Sequence, residues 1–236
     1  MRRALRALST VLIVAGALLI ADAAATLLWQ EPVSALMASI QQGRLSDQLQ
    51  EIERRAPTPV QRRVLAKLGS DRRRIAFLAR LARRDAQEGA PFGRIRIDRI
   101  GVDAVVVQGT AADDLRKGPG HYPETTFPGL SGTVAIAGHR TTYGAPFREI
   151  DQLRGGDEIV VEMPYGRFVY AVEKQQIVKP DAVWVTRDVG YDRLVLSACH
   201  PLYSAAERIV VFARLRSVSE RGAAARGAVR AARDES

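Results

Sequence analysis

From Phe92 to Arg214 the chain is a succession of short, β-branched runs punctuated by Gly and Pro, and this texture decides the fold class. So many short runs at close spacing predict a closed or sandwiched all-β domain. Strands are predicted near Gly93–Ile97, Val102–Val107, Thr133–Ala137, Glu158–Met163, Arg167–Glu173, Ile177–Val178, Ala182–Val185, Leu194–Cys199 and Arg208–Arg214. Short helical turns are predicted at Asp113–Arg116 and Pro146–Leu153, and nothing repeats at a fixed period.

Upstream the pattern changes. Leu36, Ile40, Leu45, Leu49 and Ile52 recur at roughly helical spacing, as do Ile75, Phe77, Leu78 and Leu81, with Pro57 and Pro59 breaking the segment in two. Residues 30–90 are therefore predicted to be a helical stalk that holds the β domain, residues 91–216, off a membrane; packing of these helices onto that domain is the alternative. The membrane itself is read from the N-terminus. Arg2, Arg3 and Arg6 precede an apolar stretch from Ala7 to Trp29, broken only by Ser9, Thr10, Asp22 and Thr26. As a helix it would span about 35 Å, enough for a bilayer core. The arginines predict a cytoplasmic N-terminus over residues 1–6, a single-pass anchor over 7–29 and an exported remainder, with Trp29 at the outer interface. Asp22 would cost about 2.5–3.5 kcal/mol at mid-membrane and less near the edge where it lies. Ala21-Asp-Ala23 and Ala23-Ala-Ala25 also resemble signal-peptide cleavage sites, which is the competing reading. Residues 217–236, rich in Ala, Arg and Gly, lack material for a core and are predicted to be a disordered basic tail.

The net charge of +9 would suit nucleic acid, but export and the lack of aromatic interleaving argue against it. A basic outer segment suits anionic headgroups or wall polymers, or is simply a solvated helix face. The single cysteine excludes an internal disulfide and any zinc site built from several cysteines, and no metal or cofactor is assigned.

That cysteine, Cys199, ends the run Leu194-Val-Leu-Ser-Ala-Cys199, and Arg208 opens the next, Arg208-Ile-Val-Val-Phe-Ala213. If the two runs are neighbouring strands, Cys199 and Arg208 lie near one end of the pair. Cys199 is either an inert core residue or a nucleophile. Three histidines could be its partner. His139 sits where a strand runs into a Gly-containing turn, His121 lies in the turn Gly118-Pro-Gly-His-Tyr122, and His200 adjoins the cysteine but faces the other side of a strand.

The segments Gly138-His-Arg-Thr-Thr-Tyr-Gly-Ala-Pro-Phe147 and Leu194-Val-Leu-Ser-Ala-Cys-His-Pro201, followed by Arg208-Ile-Val-Val211, resemble the sortase transpeptidases. The His-Pro after the cysteine and Gly118-Pro-Gly-His-Tyr122 are most similar to class E sortases of actinobacterial type, and the similarity runs from about Phe92 to Arg214. The resemblance implies a closed eight-stranded β-barrel and a catalytic trio of His139, Cys199 and Arg208. It implies cleavage of a Leu-Pro/Ala-X-Thr-Gly sorting signal after threonine through a thioacyl-enzyme, with transfer to an amine of a lipid II-like peptidoglycan precursor. Partners would then be secreted proteins bearing C-terminal sorting signals. Ala198 stands where the family usually has threonine, which bears on substrate contacts or rate; His121 and Tyr143 are further candidates for lining the site. No Asp-Pro dipeptide occurs, as a pilus-type lid would require. Two other readings remain: a cysteine hydrolase that releases the acyl group to water, and a non-enzymatic membrane-tethered barrel whose cysteine is incidental.

Overall fold

A computed structural model describes residues 2–28 and 32–222. Five helices, α1 (Arg2–Leu28), α2 (Pro32–Arg54), α3 (Pro59–Lys67), α4 (Asp71–Asp85) and α5 (Ala112–Leu115), accompany eight strands. These are β1 (Pro91–Ile97), β2 (Val102–Gln108), β3 (Gly120–His121), β4 (Thr133–Ala137), β5 (Glu158–Met163), β6 (Gly166–Val178), β7 (Arg193–His200) and β8 (Glu207–Glu220). They close in the order β1-β2-β3-β4-β7-β8-β6-β5, the eight-stranded barrel that the resemblance implies. All neighbours are antiparallel except β2–β3 and β4–β7.

Several local expectations are corrected. The runs at Arg167–Glu173 and Ile177–Val178 form one strand, β6, bulged against β8. Ala182–Val185 is not a strand: residues 183–186 make a 3-10 turn, because this segment packs on the outside of the sheet and pairs with no strand edge. The two-residue β3 carries no periodic signal and was not expected. Strand β8 runs on to Glu220, past the expected domain end at 216, because Gly166–Val169 of β6 continues the ladder to Ser217–Glu220. Residues 223–236 and Trp29 lie outside the described residues.

Alternation divides each strand between two environments. Val134 and Ile136, Leu194, Leu196 and Ala198, and Ile209, Val211 and Ala213 fill the barrel. Ala135, Val195, Val210 and Phe212 point outward, where Val185, with Tyr122, Val178 and Ala182, covers them. This second small cluster is why β4 is buried on both faces despite lying on a barrel surface.

The helices do not form a free-standing stalk. Leu65, Ile75, Leu78 and Ala79 belong to the main core. Arg74 reaches Glu220 at 2.6 Å, both side chains almost fully buried. Thr58 and Gln61 form a capping box and Pro59 occupies the first turn of α3, so the Pro-rich break starts a helix rather than merely ending one. Helix α2 lies along β2, with Leu45 and Leu49 against Val105 and Val107. The amide of Gln42 pairs with the exposed edge of β2 as a strand would, donating to Val105 O (2.9 Å) and accepting from Val105 N (2.7 Å). Helix α1 contains a 21-residue stretch, Ala4–Ala24, long and apolar enough to cross a membrane.

Candidate active site

The parallel pairing of β4 with β7 sets the site. Ala137 is opposite Ser197, and Gly138 N donates to Ser197 O (3.0 Å) one step further on. Continued, this register leads His139 to the level of Cys199. On the other side of β7, antiparallel pairing puts Arg208 of β8 directly opposite Cys199. Paired residues share a face, and this face is the outer one, since Ala198 and Ile209 between them point into the core. His139, Cys199 and Arg208 thus gather at one end of three adjacent strands. Cys199 is half-buried and in no disulfide. Arg208 Nη1 donates to the carbonyls of Ala205 (3.0 Å) and Glu207 (2.9 Å), which folds its guanidinium back over the β7–β8 loop.

The loop after β4 is closely packed. A Cβ on Gly138 would sit 2.5 Å from the Phe147 ring, so only glycine lets the chain pass there. Phe147 N returns to His139 O at 3.0 Å, closing the loop on itself. Tyr143 (φ 52°) and Ala145 (φ 41°) adopt the left-handed conformation without being glycine, a strain that neighbouring contacts must hold in place. The Tyr143 ring lies 5.2 Å from that of His139, and Arg116 stands over it at 5.9 Å. Burial lowers the His139 pKa, and the Arg116 charge lowers it further, so neutral imidazole is favoured. Its buried Nε2 has no hydrogen-bond partner among the described residues.

Two residues named from the sequence prove to be elsewhere. His121 is fully buried. Its ring stacks on Phe92 at 4.1 Å, its Nδ1 meets Gln108 Oε1 (2.9 Å), and its Nε2 meets Thr126 O (3.0 Å) and Thr125 Oγ1 (3.1 Å). No face remains for a substrate. Burial pushes its pKa down to about 4, marking a neutral structural histidine. Ala198 also lies inside the barrel, packed in the core, so it does not line the outer face. The hydroxyl on that face is Ser197, bonded to Tyr122 Oη at 3.2 Å. Tyr143 does adjoin His139.

Sequence reasoning gave no role to Arg140, although it follows His139 directly. Its side chain is only 1% exposed and meets Asp151 at 3.0 Å. Nε and Nη2 donate to Arg148 O at 3.2 and 3.1 Å, and Nη1 reaches Cys199 O (3.5 Å) and His200 Nδ1 (3.3 Å). A guanidinium cannot accept, so His200 Nδ1 is the acceptor. Arg140 therefore ties the His139 loop to the peptide that follows Cys199. The legible signal was an arginine inside an otherwise small, polar turn.

Chemically, the arrangement offers a thiol opposite a fixed cation, with an imidazole just past the end of the neighbouring strand, and an outer apolar patch where Trp184 stacks over Phe212 (6.3 Å). A sortase-domain profile matches residues 95–216. Sortase D of Bacillus subtilis is 33% identical over 132 residues, covering 54% of this chain and 65% of that protein. Sortase SrtE1 of Streptomyces coelicolor is 31% identical over 145 residues, 55% of this chain and 41% of that protein. The chain thus spans less than two thirds of either curated relative. A structure of sortase E1 from Streptomyces coelicolor, with a tripeptide in its active site, matches with a TM-score of 0.54 and 30% identity over 57% of this chain and 94% of that one. With half of its residues matched by the domain profile and its barrel shared by these relatives, the chain belongs to the sortase family.

Proposed function

We propose that this chain is a membrane-anchored cysteine transpeptidase. It cleaves a Leu-Pro-X-Thr-Gly or Leu-Ala-X-Thr-Gly signal after threonine and transfers the acyl group to an amine of a cell-wall precursor. The observation that supports this reading is the pairing of Cys199 with Arg208 across β7–β8, with His139 two residues past the paired end of the neighbouring strand β4. The apolar α1 supports anchoring, and the tripeptide in the active site of sortase E1 from Streptomyces coelicolor supports a peptide substrate.

In this mechanism the Cys199 thiolate attacks the threonine carbonyl, and the negative charge that develops on oxygen is stabilised by Arg208, which cannot act as a base. Protonated His139 gives its proton to the departing glycine amine, leaving a thioester on Cys199. The incoming amine then attacks the thioester, loses a proton to His139, and the thiolate leaves. A buried His139 with a lowered pKa holds the protonated form in a minority at neutral pH. The form of His139 able to give up that proton is correspondingly scarce.

The full chain in detergent, as wild type and as Cys199→Ala, is incubated with both peptides, with and without a small amine, and the products are read by mass spectrometry. A threonyl–amine conjugate with wild type alone supports transpeptidation. Threonyl acid irrespective of amine would establish a hydrolase, and neither product nor adduct would point to a binding module.

A further inference from the structure

Helix α2 does not carry the barrel away from the end of α1. It begins at the end of the barrel where Cys199 lies and runs back along the wall. Ser34 Oγ accepts from Tyr143 N at 3.2 Å beside His139, Gln42 holds Val105, Ser46 meets Arg94 at 2.9 Å, and Glu53 reaches Arg221 at 3.6 Å near the opposite end. Helix α1 ends at Leu28 and α2 starts at Pro32, a gap of at most about 14 Å at full extension. Two helical residues to Ser34 add roughly 3 Å. The Tyr143 backbone is therefore held within about 20 Å of the end of α1.

We infer that the end of the barrel bearing the candidate site faces the outer leaflet, and that its rim docks on the lipid headgroups. The rim is the β7–β8 loop, where Leu202 is 38% and Tyr203 52% exposed, joined to Arg148, Tyr143 and Arg116. Arg148 stands over the Tyr203 ring (6.0 Å) and donates to its hydroxyl (3.3 Å), as Arg116 stands over Tyr143. Tyrosines with a polar tip beside arginines are the side chains that settle at a membrane–water interface. Asp113 neutralises Arg116 at 2.8 Å, and Glu149 and Glu207 are exposed nearby. The contact therefore depends on tethering and amphipathic side chains rather than on net charge, and it forms on zwitterionic as well as anionic bilayers. Substrates of the site are then those presented within about 20 Å of the bilayer. The inference rests on α1 spanning the membrane, and is independent of which reaction the site performs.

The test uses the full chain with Cys199→Ser and one new cysteine carrying a nitroxide, reconstituted in phosphatidylcholine vesicles with and without phosphatidylglycerol. The labelled positions are Ile13→Cys in α1, Leu202→Cys on the rim, and Ser219→Cys, eleven residues beyond Arg208 on β8 and so about 35 Å further from the site. Power-saturation EPR compares accessibility to oxygen and to a water-soluble nickel chelate. The expected result is a lipid signal at Ile13 and an oxygen-to-nickel ratio at Leu202 several-fold above that at Ser219, in both lipids. Equal ratios at Leu202 and Ser219 with Ile13 in lipid would overturn the docking while leaving the anchor standing. An aqueous Ile13 would remove the anchor and the inference together.

Discussion

Arg140 and His121 show how differently two polar residues can be used once buried. Removing Arg140 leaves the Arg148 and Cys199 carbonyls without their donor, which costs about 1–3 kcal/mol. Arg140→Lys keeps the charge but lacks the planar fork. It is expected to lower the rate of Cys199 alkylation by iodoacetamide and its pH profile to change, while the melting temperature falls less than in Arg140→Met; equal alkylation in all three would reduce Arg140 to a packing residue. For His121 the folded pKa, about 4, lies below the ordinary 6.5. The unfolded chain therefore binds the proton first, so stability is highest above about pH 6.5 and falls as pH drops towards 4, by up to about 3 kcal/mol. Urea midpoints at pH 7 and pH 4.5 should show this loss in wild type and a shallower one in His121→Gln. At His139 the Arg116 charge acts in the same direction as burial, so Arg116→Ala should raise its pKa towards the ordinary value, read by NMR titration of the imidazole. His139 and His121 sit in similar Gly- or Pro-flanked turns in the sequence, and pattern alone left the choice between them open. Which one is a sealed core residue depends on Phe92 and Gln108, distant in sequence from His121 except through the β1–β2–β3 pairing.

At the scale of elements, α2 acts as a surrogate strand. The parallel β2–β3 pairing covers only Val107 and Gln108, so the earlier part of that edge of β2 would otherwise face solvent. Gln42 fills it, donating also to Lys117 O at 2.7 Å. Gln42→Ala should destabilise the protein by about 1–3 kcal/mol, through the Val105 and Lys117 groups left unpaired. An unchanged melting temperature would mean that water replaces the amide without loss. The short β-branched, apolar runs of β4, β7 and β8, bounded by Gly and Pro, made those strands legible. The continuity of β6 through residues 174–176 and the 3-10 turn at 183–186 were not, because their status depends on whether a partner edge is within reach.

At the scale of the whole molecule, the helices and the barrel share one core. A chain of residues 91–236 loses Leu65, Ile75 and Leu78 from that core, each worth about 1.5–3 kcal/mol when buried, and strands Glu220 without Arg74. It should melt well below a chain of residues 32–236 and bind a hydrophobic dye; matching melting temperatures would show that the helices only decorate the barrel. Periodicity, β-branched texture and Gly/Pro punctuation are local properties, and by themselves they determined the all-β class, the apolar N-terminal helix and the segments that carry Cys199, Arg208 and His139. Only the tertiary structure decided that the helices lie along the barrel, that Ala198 and His121 face inward, and that Arg140 and Ser197 belong beside the site. Those outcomes follow from strand register and from which edges remain unpaired, and both are fixed by contacts between segments far apart in the chain.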